Sequence, residues 1–139
     1  MPKQKILFLC TGNSCRSQIA EGFLRSIAGN RFDVHSAGVK PSHLNPMAIR
    51  VMTEVGIDIS GQTSNDVKAY LDEDIDKVIT VCNHAKDVCP IFPGAPTQLH
   101  WGFFDPATAT GTEEEKLTVF RRVRDEIQMM IQEWLEALN

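Results

Sequence analysis

Ile6-Leu7-Phe8-Leu9 runs directly into Cys10-Thr11-Gly12-Asn13-Ser14-Cys15-Arg16-Ser17, and this stretch decides the fold. Four consecutive apolar residues are the pattern of a parallel strand covered on both faces. The polar turn behind them holds Gly12 and Asn13, residue types for which a positive φ costs little. Ile19, Phe23, Leu24 and Ile27 then recur at helical spacing, and Gly29-Asn30 ends that helix.

The rest of the chain continues the alternation. Phe32-Asp33-Val34-His35-Ser36 reads as a strand closed by Gly38. Asn45-Pro46 reads as an N-cap with proline at the first helical position, and that helix turns Ile49, Met52 and Val55 inward before Gly56. Residues 64–71 suggest another short helix. Val78-Ile79-Thr80-Val81 is a third strand delivering Cys82 at its end, residues 83–96 are mostly loop, and Leu99 and Trp101 mark a fourth strand. The last helix carries the stripe Leu117, Phe120, Val123, Ile127, Met130, Ile131, Trp134 and Leu138, with Glu113, Glu114 and Glu115 in a first turn that favours anions. Strands alternating with helices give an α/β fold with a parallel sheet.

A length of 139 residues fits one domain, residues 1–139, and the 42% hydrophobic fraction supplies a core without disulfides or a metal. Charged residues at 23% argue against disorder. A net charge of −4 leaves no electrostatic footprint for nucleic acid, so any basic anion site must be local. No apolar run approaches the ~20 residues of a membrane helix, and the apolar start is too short for a signal-peptide core. The chain therefore reads as cytoplasmic, with Cys10, Cys15, Cys82 and Cys89 in a reducing compartment, where reactive roles outweigh structural staples.

Cys10 and Arg16 enclose a turn between a buried strand and a helix, the place where open α/β sheets bind ligands. Backbone N–H groups of Thr11, Gly12, Asn13, Ser14, Cys15, Arg16 and Ser17 would form a concave nest for an anion, helped by the helix N-terminus. Arg16 adds a planar fork suited to a tetrahedral oxyanion. Such a setting favours the thiolate, the attacking form of a cysteine. Ser17 would donate to the Cys10 sulfur and Asn13 would hold the loop. The plainer alternative is a buried Cys10 ending a strand beside an exposed Arg16. For Cys15 a packing role is the better reading.

Residues 10–22, CTGNSCRSQIAEG, resemble the catalytic loop of the low-molecular-weight protein tyrosine phosphatase superfamily, and most closely the arsenate reductases of that fold that couple to thioredoxin. The likeness continues through Ser36-Ala37-Gly38, Asn45-Pro46-Met47-Ala48-Ile49, residues 55–60, His100-Trp101-Gly102, Asp105-Pro106 and residues 122–127. It implies a flavodoxin-like, four-stranded parallel sheet flanked by helices, acting as a monomer without an organic cofactor or metal.

Cys82 and Cys89 are separated by six residues in Cys82-Asn83-His84-Ala85-Lys86-Asp87-Val88-Cys89. A disulfide needs Cα atoms roughly 4.4–6.8 Å apart, so an extended segment would keep them unpaired and a looped or helical one could join them. A zinc site using Cys82, His84 and Cys89 lacks the usual ligand spacing, and two incidental cysteines are the bland reading. The resemblance decides for redox chemistry. It implies attack of Cys10 on arsenate, then of Cys82 on Cys10 with release of arsenite, then of Cys89 on Cys82, with thioredoxin reducing the final disulfide. It also makes Asp105 the general acid, although an Asp before Pro by itself often just opens a turn. Asn13, Glu21 and Ser36 resemble positions that bind potassium in some relatives, but here Asn65 stands where the neighbouring acid is expected and Asp66 follows it.

Two rival functions follow from the same residues. A tyrosine-phosphate phosphatase would use the same loop, but those enzymes usually have proline where this chain has Gln18, and aromatic residues where it has Ala107-Thr108. A non-catalytic thiol sensor would use Cys82 and Cys89 alone.

Overall fold

A computed structural model describes residues 3–81 and 97–138. Cys82, His84, Cys89 and the segment read as loop lie outside the described residues. Four strands, β1 (Gln4–Cys10), β2 (Phe32–Gly38), β3 (Lys77–Thr80) and β4 (Thr97–His100), form one sheet in the order β2-β1-β3-β4, every pair parallel. This is the flavodoxin-like order, in which the direction of winding reverses between β1 and β3 and a crevice opens at the strand ends.

The unbroken apolar run of β1 is explained by its two covered faces. Ile6, Phe8 and Cys10 enter one core and Leu7 and Leu9 the other. The larger core holds the buried sides of α1 (Arg16–Ala28), α2 (Pro46–Thr53) and α3 (Glu113–Ala137). The smaller core joins Leu7, Leu9, Ala37 and Val78 to Val67 and Ile75. Residues 64–71 contain only a short 3₁₀ turn, Val67–Tyr70, which the Asp66 side chain opens by accepting from Lys68 N.

Capping follows the sequence closely. Asn45 accepts from Met47 N at the start of α2, and Thr112 and Glu115 form a reciprocal capping box at the start of α3. The stripe of α3 is buried at Leu117, Phe120, Val123, Ile127 and Ile131, but its last buried member is Leu135, and Leu138, beyond the helix, is exposed. Val55 is likewise exposed because α2 ends at Thr53, and Val51 and Met52 take the inward positions. Ile27, in the final turn of α1, is also exposed. Among the described residues no helix is long and apolar enough to cross a membrane.

Gly22 lets α1 lie against the segment after α2. A Cβ there would stand 2.6 Å from Ile59 Cγ2 and 3.2 Å from Met52 Cε. Alanine inside a helix normally gains up to about 1 kcal/mol over glycine, but forcing a methyl into a filled core costs about 1–3 kcal/mol. Gly22→Ala is therefore expected to lower the urea unfolding midpoint; an unchanged or raised midpoint would show that this contact is loose.

Candidate active site

The loop between β1 and α1 is shaped from outside. Val39 N donates to Cys10 O, Lys40 N to Thr11 O, Ser42 N to Gly12 O and Asn45 N to Ser14 O, at 2.8–3.3 Å. A trans peptide points its N–H away from its C=O, so carbonyls tied down on the outside turn amides toward the inside. There a cavity of about 190 Å³ is lined by Cys10, by the loop, and by Arg16, Asp105 and Ala107. Most of the loop residues expected from the sequence to form the nest line this cavity.

Cys10 is 2% exposed, and its Sγ lies 3.0 Å from Ser17 Oγ. Ser17 also accepts from Asn13 Nδ2 at 2.8 Å, so the hydroxyl hydrogen is free to point at the sulfur. Asn13 adopts φ 48° and holds the loop by three side-chain bonds, donating to Ser17 and Ser36 and accepting from Asn65 N at 2.7 Å. Arg16 is buried rather than exposed. Its Nη1 donates to Phe103 O at 3.1 Å and its Nη2 stands 3.5 Å from Asp105 Oδ2. Asp105 opens the turn read from the sequence and also stands beside Arg16 at the cavity. Oδ1 accepts from Ala107 N and opens a 3₁₀ turn, Pro106–Thr108, while Oδ2 faces Arg16 across the cavity.

Cys15 belongs to the larger core and is 4% exposed. Burial pushes its thiol up to about 12, against a weaker opposing pull from a hydrogen bond with Ser14. At neutral pH it is a protonated packing group, as the sequence suggested, although it borders the cavity.

Asn13, Glu21 and Ser36 do meet in one buried cluster, but they do not fit a bound cation. Ser36 Oγ donates to Glu21 Oε1, and Glu21 Oε2 pairs with Arg25 Nη2 at 2.6 Å. Asn13 presents its donor nitrogen to Ser36, and Asp66 is turned away to cap Lys68. The guanidinium of Arg25 already neutralises the buried carboxylate. Among the described residues no three His, Cys, Asp or Glu side chains are placed to hold a metal.

Sequence reasoning missed Gly38, which it took only for a strand end. A Cβ at Gly38 would meet Thr11 O at 2.6 Å and Asn13 N at 2.9 Å. These are backbone atoms of the loop itself. The signal was the alternation of β2 ending in a glycine beside a Gly/Asn turn, but only the parallel pairing of Cys10 with Gly38 puts the two together.

Residues 5–139 match the low molecular weight phosphotyrosine protein phosphatase family. The arsenate reductase of Halalkalibacterium halodurans is 53% identical over 137 residues, 99% of each chain. A solved arsenate reductase in the phosphate binding state superposes with a TM-score of 0.83 at 34% identity, covering 98% of this chain and 99% of that one. The thioredoxin-dependent arsenate reductase of Corynebacterium glutamicum gives a TM-score of 0.74 at 29% identity, covering 99% of this chain and 62% of that one. With the loop, the sheet order and nearly the full length in common, the chain belongs to the low molecular weight phosphotyrosine protein phosphatase family, on its arsenate reductase side.

Proposed function

We propose that this protein reduces arsenate to arsenite, drawing electrons from thioredoxin through Cys10, Cys82 and Cys89 within one cytoplasmic domain. The observation that carries the reading is a small cavity lined by Cys10, by the loop that follows it and by the paired Arg16 and Asp105. The cavity is the size for an inorganic tetrahedral oxyanion and has no aromatic wall at residues 107–108 for a phenol ring.

Chemistry follows from that placement. The loop amides and Arg16 bind arsenate and stabilise the charge that gathers on its oxygens. The Cys10 thiolate forms a sulfur–arsenic bond while one arsenic–oxygen bond breaks, and Asp105 gives the departing oxygen its proton so that it leaves as water. The thiolate of Cys82 then attacks the Cys10 sulfur. The sulfur–arsenic bond breaks with its electron pair going to arsenic, which leaves as arsenite, and a Cys10–Cys82 disulfide remains. Cys89 attacks Cys82, releasing Cys10 as thiolate and forming Cys82–Cys89. A thioredoxin dithiol reduces that bond and is oxidised in turn, a direction its low potential favours.

Support for the second half comes from chain continuity. Val81 N donates to Leu9 O, the residue before Cys10, and Phe103 N donates to Val81 O. The residue preceding Cys82 is thus bonded to both neighbours of the chemistry: Leu9 beside Cys10, and Phe103, whose carbonyl holds Arg16. The thioredoxin dependence of the Corynebacterium enzyme and the arsenate reductase activity of the Halalkalibacterium relative point the same way.

Cys10→Ser and Arg16→Ala should abolish arsenate-dependent thioredoxin oxidation. Cys89→Ser should complete about one turnover and stop, with mass spectrometry finding Cys10 linked to Cys82; repeated turnover by this variant would break the relay. Rapid hydrolysis of an aryl phosphate without arsenate turnover would favour a phosphatase instead.

Cys15 gives a separate, alkaline prediction. Its folded thiol titrates at about 12 against an ordinary 9.0. Both states are protonated below pH 9, whereas above it the unfolded chain loses a proton that the folded chain keeps. Stability should therefore fall as pH rises from about 9 toward 12, by up to about 1.4 kcal/mol per pH unit for this one group. Urea unfolding across that range should show a shallower decline in Cys15→Ala than in the wild type; parallel curves would place Cys15 in a wetter setting.

A further inference from the structure

The carbonyls of Cys10, Thr11, Gly12 and Ser14 take backbone donors from residues 39–45, and Cys15 O takes Ile19 N inside α1. Asn13 O is the exception. Asn13 alone among the described non-glycine residues has a positive φ, so its peptide is turned relative to its neighbours and its carbonyl faces α1. The donor there is a side chain, Gln18 Nε2, at 3.0 Å.

Gln18 is fully buried, and each of its polar atoms is committed. Nε2 also donates to Thr63 O at 2.9 Å, and Oε1 accepts from Gln62 Nε2 at 2.7 Å, so the carboxamide cannot rotate. Asn13 O and the Ser14 N–H belong to one peptide plane, and none of the described peptides is cis. The Ser14 N–H therefore points opposite to Gln18, and Ser14 lines the cavity whereas Asn13 does not. A donor on the carbonyl of a peptide also strengthens the N–H of that peptide as a donor.

We infer that Gln18 is a positioning residue for the oxyanion: its carboxamide fixes and polarises the Asn13–Ser14 peptide so that the Ser14 N–H faces the bound anion. The inference rests on the reading of this loop as the oxyanion cradle. Gln18 touches neither Cys10 nor the cavity, and acts through one peptide group.

The test uses the full-length protein, with inorganic phosphate as a non-reacting probe and arsenate as substrate. Gln18→Met keeps the length of the side chain and removes both donors. It should weaken phosphate binding about ten-fold by calorimetry and raise the arsenate KM by a similar factor, with kcat changed less than three-fold, since one binding contact is lost throughout the reaction. Gln62→Leu removes the partner of Gln18 Oε1 but leaves the donor to Asn13 O; it should lower the thermal midpoint while phosphate affinity stays within two-fold. Gln18→Met with wild-type phosphate affinity and a lowered midpoint would reduce Gln18 to a core group and overturn the inference alone. A wild-type protein that binds neither anion would overturn the reading of the loop, and the inference with it. A further measurement needs no variant. Phosphate titrated into the ¹⁵N-labelled wild type should shift the Gln18 side-chain amide signals more than those of Gln62, and no shift of Gln18 at saturation would also overturn the inference.

Discussion

A buried carbonyl needs a donor, and in this protein that requirement builds the site. The carbonyls of residues 10–15 are satisfied elsewhere, mostly by donors from the segment that follows β2, which leaves the loop's amides for the anion role proposed for them. That segment is in place because β2 pairs with β1 in a fixed register, with Cys10 opposite Gly38. A shift of one residue would put a side chain where Gly38 now leaves room for Thr11 O and Asn13 N. Sheet register, the absence of a Cβ and the curvature of the anion nest are therefore one constraint seen at three levels.

The charges around the loop are arranged so as not to spoil it. Glu21 is buried close behind the cradle, where an uncompensated carboxylate would repel the substrate. Arg25 and Ser36 both engage it, and Asn13 links that pair to Ser17 and so to the Cys10 sulfur. An ion pair with a half-exposed partner adds little stability, but here it neutralises the space behind the loop and fixes the hydroxyl chain that ends at sulfur. On the open side, Asp105 and Phe103 O keep the Arg16 fork within reach of the cavity. An arriving oxyanion meets a guanidinium already oriented.

The legible part of this structure was whatever depends on local chemistry. The apolar run of β1, the Asn45-Pro46 start of α2 and the Thr112 box of α3 announce themselves within a few residues, as does the Cys10–Arg16 loop. What stayed hidden depends on contacts between distant segments. Gly38 is an ordinary strand end until pairing brings it against Asn13, and Gln18 is an ordinary helix residue until the positive φ of Asn13 turns a carbonyl toward it. The ends of helical stripes misled for a related reason. Periodicity says which way Ile27 or Leu138 faces along a helix, but not whether any element extends far enough to cover it.

The same constraint explains how one loop can serve a family with two chemistries. The cradle as proposed would recognise a tetrahedral arrangement of oxygens, and nothing in its amides or in Arg16 would sense whether phosphorus or arsenic sits at the centre. Attack by the thiolate gives a covalent sulfur adduct in either case. The outcomes separate afterwards. Phosphorus(V) held to sulfur is freed by water, without change of oxidation state, whereas arsenic(V) can accept the electron pair of its bond to sulfur if a second thiol attacks that sulfur. Reduction thus asks nothing new of the loop; it asks for a thiol near the end of β3, the strand that pairs with β1 on the side away from β2. Cys82 follows that strand in this chain, so under the proposed relay the difference between hydrolysis and reduction would be carried by the residue after the neighbouring strand while the anion site stays as the fold makes it.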